Sequence, residues 1–474
     1  MAVRFRPLVG GLIVIALALT VPGSATATPV PLAQVGSAGS AAGELSHPQD
    51  VAIDGSGNVY VADINNHRID VFRGDGKFIR AFGFGVDTGA AAFQTCTTAS
   101  TCQAGIPGGA AGQLDAPRGI ALDGAGNIYV AEQNNHRISV FDATGTFKHA
   151  FGRGVDTGAA SFEVCTAASV CQAGSQGPGA GELNTPVGLT VAAGSLFVSD
   201  QGNHRISVFG TAGPSFTRAF GWGVDTGAAA FQTCTMASVC QAGISGGGAG
   251  QLMNPQYLAL DTTGSLYVSE QGNHRISVFD TAGPSFLRAF GRGVDTGATA
   301  FEVCTAASSC QAGTQGGGAG ELSFPRGVAI DGAGGLYVVE GGNSRISLFD
   351  TAGPSFTQAF GWGVDTGAAA FQLCTIASTC QTGTAGSGTG QLAQPLGVAI
   401  DCHGAAWVAD DGNDRLQRFG EPGTASCFVP ASTPVPPAPS ASATGRRAAA
   451  LKKCKRKKAS ARKKCKKRAK GLPV

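Results

Sequence analysis

Apolar and polar positions alternate in short runs along most of the chain, and the runs come in groups of four. One group reads Tyr257-Leu-Ala-Leu-Asp261, Ser265-Leu-Tyr-Val-Ser269, Arg275-Ile-Ser-Val-Phe279 and Phe286-Leu-Arg-Ala-Phe290. Runs of this length, rich in β-branched and aromatic residues, predict strands. Turn formers such as Asp-Gly-Ala-Gly-Asn and Thr-Ala-Gly-Pro-Ser separate them. The pattern then repeats. Its fullest copy runs from Pro325 to Asp350, and its arginine recurs at Arg68, Arg137, Arg205, Arg275, Arg345 and Arg415. The intervals of 69, 68, 70, 70 and 70 residues are too regular for anything but a repeat architecture.

Six units of four strands predict an all-β fold, a six-bladed β-propeller of four-stranded blades. The ends of the pattern predict how the ring closes. The last unit has three strands, Leu396 to Ile400, Ala405 to Val408 and Arg415 to Phe419, and lacks the fourth. Pro31 to Gly36 stands just before the first unit and is predicted to fill that place, which leaves no open edge.

The repeated residues resemble the NHL family. They carry its opening around P-x-G-V-A-x-D, its G-N-x-Y-V-A-D middle and its N-x-R-I-x-V-F end. Four units hold the Asn-His pair: Asn66-His67, Asn135-His136, Asn203-His204 and Asn273-His274. Units five and six have Asn343-Ser344 and Asn413-Asp414 instead, and Ala192 replaces a recurring aspartate. The resemblance extends over roughly residues 30–420. It implies a propeller, and it admits two functions known in such propellers: binding, and metal-dependent lyase or lactonase chemistry. Animal members that bind RNA use a basic face, which the acidic body of this chain does not provide.

Five inserts interrupt the plain repeat, starting at Gly85, Gly154, Gly223, Gly293 and Gly363. Each holds a C-x5-C pair: Cys96/Cys102, Cys165/Cys171, Cys234/Cys240, Cys304/Cys310 and Cys374/Cys380. The inserts contain no histidine for a zinc site, and the spacing is not the C-x-x-C of redox motifs. Local disulfides are therefore expected, with Cys402 and Cys427 candidates for a sixth. The Asp-Thr followed by Gly-Ala-Ala-Ala-Phe in these inserts is expected to start a short helix. The Asp-Thr-Gly at Asp87, Asp156, Asp225, Asp295 and Asp365 is not read as a protease motif, because that chemistry needs two close carboxylates.

Strand direction places the inserts on the same face as the Asn-x-Arg turns. That face carries the candidate ligand residues. They are the acids Asp63, Glu132, Asp200, Glu270, Glu340 and Asp410, together with the four Asn-His pairs named above. A ring of acids suits a cation or basic ligand. The competing and favoured expectation is that each acid pairs with its repeat arginine and fixes the turn. The repeat-breaking residues Gln256, Tyr257, Ala192 and Asp414 do not form a ligand set.

Charge is divided along the chain. Residues 28–430 hold 17 Lys or Arg against 31 Asp or Glu, whereas residues 431–474 hold 15 bases and no acid. The tail, beyond a proline-rich linker, reads Lys452, Lys453, Cys454, Lys455, Arg456, Lys457, Lys458, then Arg462, Lys463, Lys464, Cys465, Lys466, Lys467, Arg468. It is read as a disordered arm with affinity for anionic polymer. At the other end, Arg4 and Arg6, the apolar run Leu8 to Val21 and Ala25-Thr26-Ala27 read as a signal peptide over residues 1–27. No transmembrane segment is expected after its removal.

The sequence thus points to a secreted or cell-envelope propeller that is non-catalytic. It would bind a protein or glycan on the insert face and anionic envelope polymer through the tail, with no cofactor and no specific nucleic acid. The alternatives are a metal-assisted lyase or lactonase in the propeller mouth, and a structural envelope protein cross-linked through Cys454 and Cys465.

Overall fold

A computed structural model describes residues 28–427. The expected signal peptide over 1–27, the expected linker and tail over 431–474, and Cys454 and Cys465 in that tail lie outside the described residues.

The described residues form six antiparallel sheets, five of five strands and one of four. Blade one consists of β2 (Pro48–Ile53), β3 (Val59–Asp63), β4 (Arg68–Phe72), β5 (Phe78–Phe84) and β6 (Phe93–Cys96), paired in that order. The first strands of successive blades touch one another around a closed ring, from Pro48–Ile53 through to Pro395–Ile400 and back. They therefore line the axis. The expected closure holds: β1 (Val30–Val35) pairs antiparallel with Arg415–Gly420 as the outermost strand of blade six.

The fifth strand departs from the four-stranded expectation. Each insert leaves the fourth strand, turns, and pairs back along it, so that Phe93 to Cys96 lie opposite Phe84 to Ala81. The expected helix does not form. The backbone N–H groups of Asp87 and Thr88 instead donate to Gln94 Oε1, each at 3.0 Å, holding the segment as a tight turn. Glu163 and Glu302 do the same in blades two and four. The residue six beyond the threonine is thus a better partner for these amides than a helical carbonyl.

All five expected local disulfides are present: Cys96–Cys102, Cys165–Cys171, Cys234–Cys240, Cys304–Cys310 and Cys374–Cys380. Cys402–Cys427 is the sixth. Their surroundings correct the picture of cysteines in loops of the insert face. Each insert leaves and rejoins the sheet on that face, but the returning strand carries its cysteines away from it, along the outer edge of the blade. The first cysteine of each pair lies in the fifth strand, as Cys96 does opposite Ala81. The second cysteines, Cys102, Cys171, Cys240, Cys310 and Cys380, lie in irregular backbone just past a tight turn. That turn is closed in blade one by the Ser100 N–H donating to the Thr97 carbonyl at 3.0 Å. Cys102, Cys171, Cys240 and Cys380 are buried, whereas Cys310 is only partly covered. Cys234 and Cys240 pack in the apolar cluster between blades two and three, beside Leu183, Phe209 and Phe216. Cys165 and Cys171 take the same place between blades one and two, with Phe141 and Phe147.

The inserts also glue neighbouring blades. Phe93 stacks on Phe141 of the next blade at 5.9 Å, and Phe162/Phe209, Phe231/Phe279, Phe301/Phe349 and Phe371/Phe419 repeat the contact. Among the described residues no helix is long and apolar enough to cross a membrane.

Candidate functional site

The six acids are committed to the scaffold. Arg205 shows the arrangement. Its Nε donates to Asp200 at 2.8 Å, its Nη1 to the carbonyls of Pro178 and Gln241, and its Nη2 to those of Gly179 and Glu182. Guanidinium has five N–H donors, and all five are used. Asn203 completes the turn, donating to Asp200 and to the carbonyl of Gly177. Equivalent pairs join Arg137 to Glu132, Arg275 to Glu270, Arg345 to Glu340 and Arg415 to Asp410. The carbonyls come from the connection entering a blade and, in five blades, from the insert leaving it. Each arginine therefore clamps connections whose glycine-rich backbone has few side chains of its own to hold it. Asp63, Glu132, Asp200, Glu270, Glu340 and Asp410 are buried and line no open surface.

The histidines join blades. His67, His136, His204 and His274 all have φ near +48°, and it is this residue rather than the preceding asparagine that takes the left-handed conformation. The ring Nδ1 of each accepts the backbone N–H at the entry to the next blade: Ala116, Thr185, Asn254 and Phe324. That geometry requires the neutral ring with its proton on Nε2. Burial lowers the pKa of all four and favours that form. Asp414, which replaces the histidine in blade six, accepts His47 N–H at 2.7 Å and so fastens the last blade to the first. The Asn-His turns are thus spread round the ring rather than gathered at one centre.

The open cavity on this face lies at the axis. It has a volume of about 480 Å³ and is lined by Gln49, Arg118, Gln271, Phe324, Arg326 and Asp411, among others. Its floor is built from the two first strands that break the repeat. After the opening proline, four blades have glycine as their third residue: Gly119, Gly188, Gly327 and Gly397. Blades one and four, opposite each other, have Asp50 and Tyr257. Tyr257 Oη donates across the axis to the carbonyl of Gln49 at 2.9 Å. Asp50 accepts N–H groups from Val51 at 2.9 Å and Ile120 at 3.0 Å. The glycines are needed, since a Cβ at Gly397 would sit 2.4 Å from Asp50 Oδ1. Burial pushes the Asp50 carboxyl up to about 8, so it is mainly neutral at pH 7.

Above this floor Arg118 and Arg326 project from opposite blades, two and five. Unlike the clamp arginines, they are poorly partnered. Arg118 Nη1 donates to Gln133 Oε1 and Arg326 Nη1 to Gln256 Oε1, each at 3.1 Å. Their Nε atoms are buried with no partner. Burial, and then the charge of Arg118, lowers the pKa of Arg326. Asp411 accepts from Gln49 at 3.0 Å and lies 3.2 Å from His47 Nδ1. The far mouth of the channel is different in kind, lined by aliphatic side chains such as Ile53, Leu122, Val191 and Ile400.

Sequence reasoning singled out Gln256 and Tyr257 but missed Gln49, Asp50, Arg118, Arg326 and Asp411. For all but Asp411, which opens the turn after the second strand of blade six, the signal was present at the second and third positions of each first strand. It emerges only when the six copies are arranged as a ring, where blades one and four, and two and five, become opposite. Ala192 and Asp414 lie elsewhere, the former beside a hairpin turn and the latter at the blade-six latch.

Known proteins resemble parts of this chain. The model of the NHL repeat matches residues 45–72, 114–141 and 183–209. The B-box type zinc finger protein ncl-1 of Caenorhabditis elegans is 51% identical over 47 residues, 10% of this chain and 6% of that protein. Protein brain tumor of Drosophila melanogaster is 29% identical over 132 residues, 23% of this chain and 13% of that protein. The chain therefore spans only a small part of the length of either relative. Among solved structures, virginiamycin B lyase from Staphylococcus aureus aligns over 83% of this chain and 99% of that one, with 12% identity and a TM-score of 0.40. Three of the six repeat units match the NHL repeat, and the six together are built into a six-bladed β-propeller.

Proposed function

We propose that the protein is an exported, non-catalytic binding module that holds a protein or glycan ligand on its insert face and rim. The observation that carries this reading is the set of stapled rim turns. The disulfide turns of blades two, three and five expose apolar side chains: Val170 at 86%, Val239 at 85%, Ile376 at 74% and Met236 at 58%. Apolar tips on short cross-linked turns lose little conformational freedom when they are covered, which favours binding. The disulfides themselves support an extracellular or cell-envelope setting. In this reading the basic tail tethers the propeller to anionic envelope polymer.

The metal-assisted alternative has less support. The one group of three metal-type ligand atoms among the described residues is Cys402, His403 and Cys427, whose two cysteines are bonded to each other. The axial mouth presents arginines, glutamines and an acid, which is not a metal-ligand set.

Capture from cell-envelope extract tests the proposal, using residues 28–474, residues 28–430, and a Val170→Ser/Val239→Ser variant. A specific partner should be retained without the tail and lost with the serine substitutions. Equal capture by the substituted and unsubstituted propeller would remove the rim from the function.

A further inference from the structure

We infer that the axial funnel on the insert face binds an acidic saccharide, with the carboxylate of a uronic-acid unit held between Arg118 and Arg326. This rests on the reading of that face as a binding face and names its ligand class.

Charge balance is the first argument. Every clamp arginine of the ring has its carboxylate, whereas neither Arg118 nor Arg326 pairs with one among the described residues. Two guanidinium groups facing one cavity repel each other, and a scaffold gains nothing from placing them there. Asp411, held by donors from Gln49 and His47, offsets one of the two charges. The Asp50 carboxyl in the floor, held mainly neutral by burial, does not offset the other. One unit of positive charge is left over between the two arginines, which suits a single carboxylate group there, with any second uronate outside the pair, better than a phosphate dianion. The planar fork of guanidinium matches a carboxylate in two-point contact, and within the described residues only Nη1 of each arginine donates to a protein acceptor.

The rest of the lining favours sugar. Gln271 and Gln394 bring amide groups to the wall, each able to donate to one hydroxyl and accept from another. Phe324 is 39% exposed at the same wall and offers an apolar ring to a sugar face. The floor is closed by Asp50 and Tyr257, so the ligand enters and leaves from the insert face. The volume of about 480 Å³ falls within the usual range for small-ligand pockets and suits a disaccharide.

The experiment is calorimetric titration of residues 28–474 with digalacturonate, its methyl ester, and inorganic phosphate. Digalacturonate should bind, and the other two should bind at least about tenfold more weakly, the loss typical of a charged hydrogen-bond pair. Arg118→Gln and Arg326→Gln should each weaken digalacturonate at least about tenfold while leaving the thermal midpoint of the free protein in place. Arg118→Lys, which keeps the charge and loses the fork, should also weaken it. The basic tail is intact in all variants. Digalacturonate binding that is unchanged by both glutamine substitutions therefore belongs to the tail and overturns the proposal. Absence of digalacturonate binding, or preference for phosphate, overturns it too. Extract capture by the rim variants is scored separately, so the axial site and the binding-face reading can fail independently.

Discussion

At Asp70 the chain breaks its own rule, and the break has an energetic consequence. Blades two to five carry serine at the equivalent place: Ser139, Ser207, Ser277 and Ser347. Each serine hydroxyl donates to the clamp carboxylate. In blade one two carboxyls, Asp63 and Asp70, share Arg68, whose Nε is 2.8 Å from Asp70 and 3.5 Å from Asp63. Asp70 Oδ1 is buried without a partner. Burial pushes the pKa of both acids above the ordinary 3.8, and for Asp63 the neighbouring Asp70 charge adds to it. The native state then keeps a proton that the unfolded chain releases. The contribution of the pair to stability is complete below pH 3.8 and declines as pH rises toward the raised native values. Asp70→Ser recreates the geometry of blade three, where Arg205 meets Asp200 at 2.8 Å and Ser207 donates to it at 3.1 Å. It should raise stability at pH 7 by about 1–2 kcal/mol, with a smaller gain at pH 4. Urea unfolding at the two pH values measures this, and a midpoint lowered at pH 7 would contradict it. The pairing of acid with arginine was legible from their fixed spacing. The burden at Asp70 was not, because a single acid in a strand shows its cost only once burial is known.

The element that most changes the repeat is the insert. From sequence it was a glycine-rich loop with a disulfide, and the disulfides were legible from spacing alone. Its fifth strand was not, since four residues such as Phe93 to Cys96 are too short to signal a strand without the sheet edge they join. The burial of Cys102, Cys171 and Cys380 was hidden for the same reason, because the apolar side chains around them come from neighbouring strands. The staple works in two ways. Closing so small a loop stabilises by about 2 kcal/mol in the chain-entropy account. The sulfurs also fill space between blades, as Cys234 and Cys240 do in the apolar cluster with Phe209 and Leu183. The two contributions can be separated. With the disulfides formed, Cys234→Ala/Cys240→Ala should lose about 3–4 kcal/mol, the loop term plus the sulfur packing; with every disulfide reduced, the same substitutions should lose only about 1–2 kcal/mol, the packing term. No loss from the substitutions in the reduced protein, measured by urea unfolding, would show that the sulfurs contribute no packing.

For the whole molecule the decisive matter is how a one-dimensional repeat becomes a ring. Each join between blades one to five, and from five to six, carries a phenylalanine stack contributed by an insert. The join between blades six and one has no insert and is made differently. It uses β1 pairing with Arg415–Gly420, the His47 N–H donated to Asp414, and the Gln49 amide donated to Asp411. Val35 adds apolar contact in a cluster with Phe72, Trp407 and Leu416. Ring closure was legible, because a missing strand at one end and a spare one at the other have a single economical solution. The axial floor was not, because Asp50 and Tyr257 stand 207 positions apart and meet only when the ring is closed. Both features depend on the same join, so opening it should damage both. A chain starting at residue 37 loses β1 and exposes the edge of Arg415–Gly420, whose free N–H and C=O groups can pair with another copy. This variant should unfold at lower urea concentration and form oligomers in light scattering. It should also admit solvent to Asp50, seen as faster hydrogen exchange at the amides of Val51 and Ile120 that the Asp50 carboxyl accepts. A monomer with unchanged exchange at those two amides would mean that the axial floor is held by the five remaining joins without the sixth.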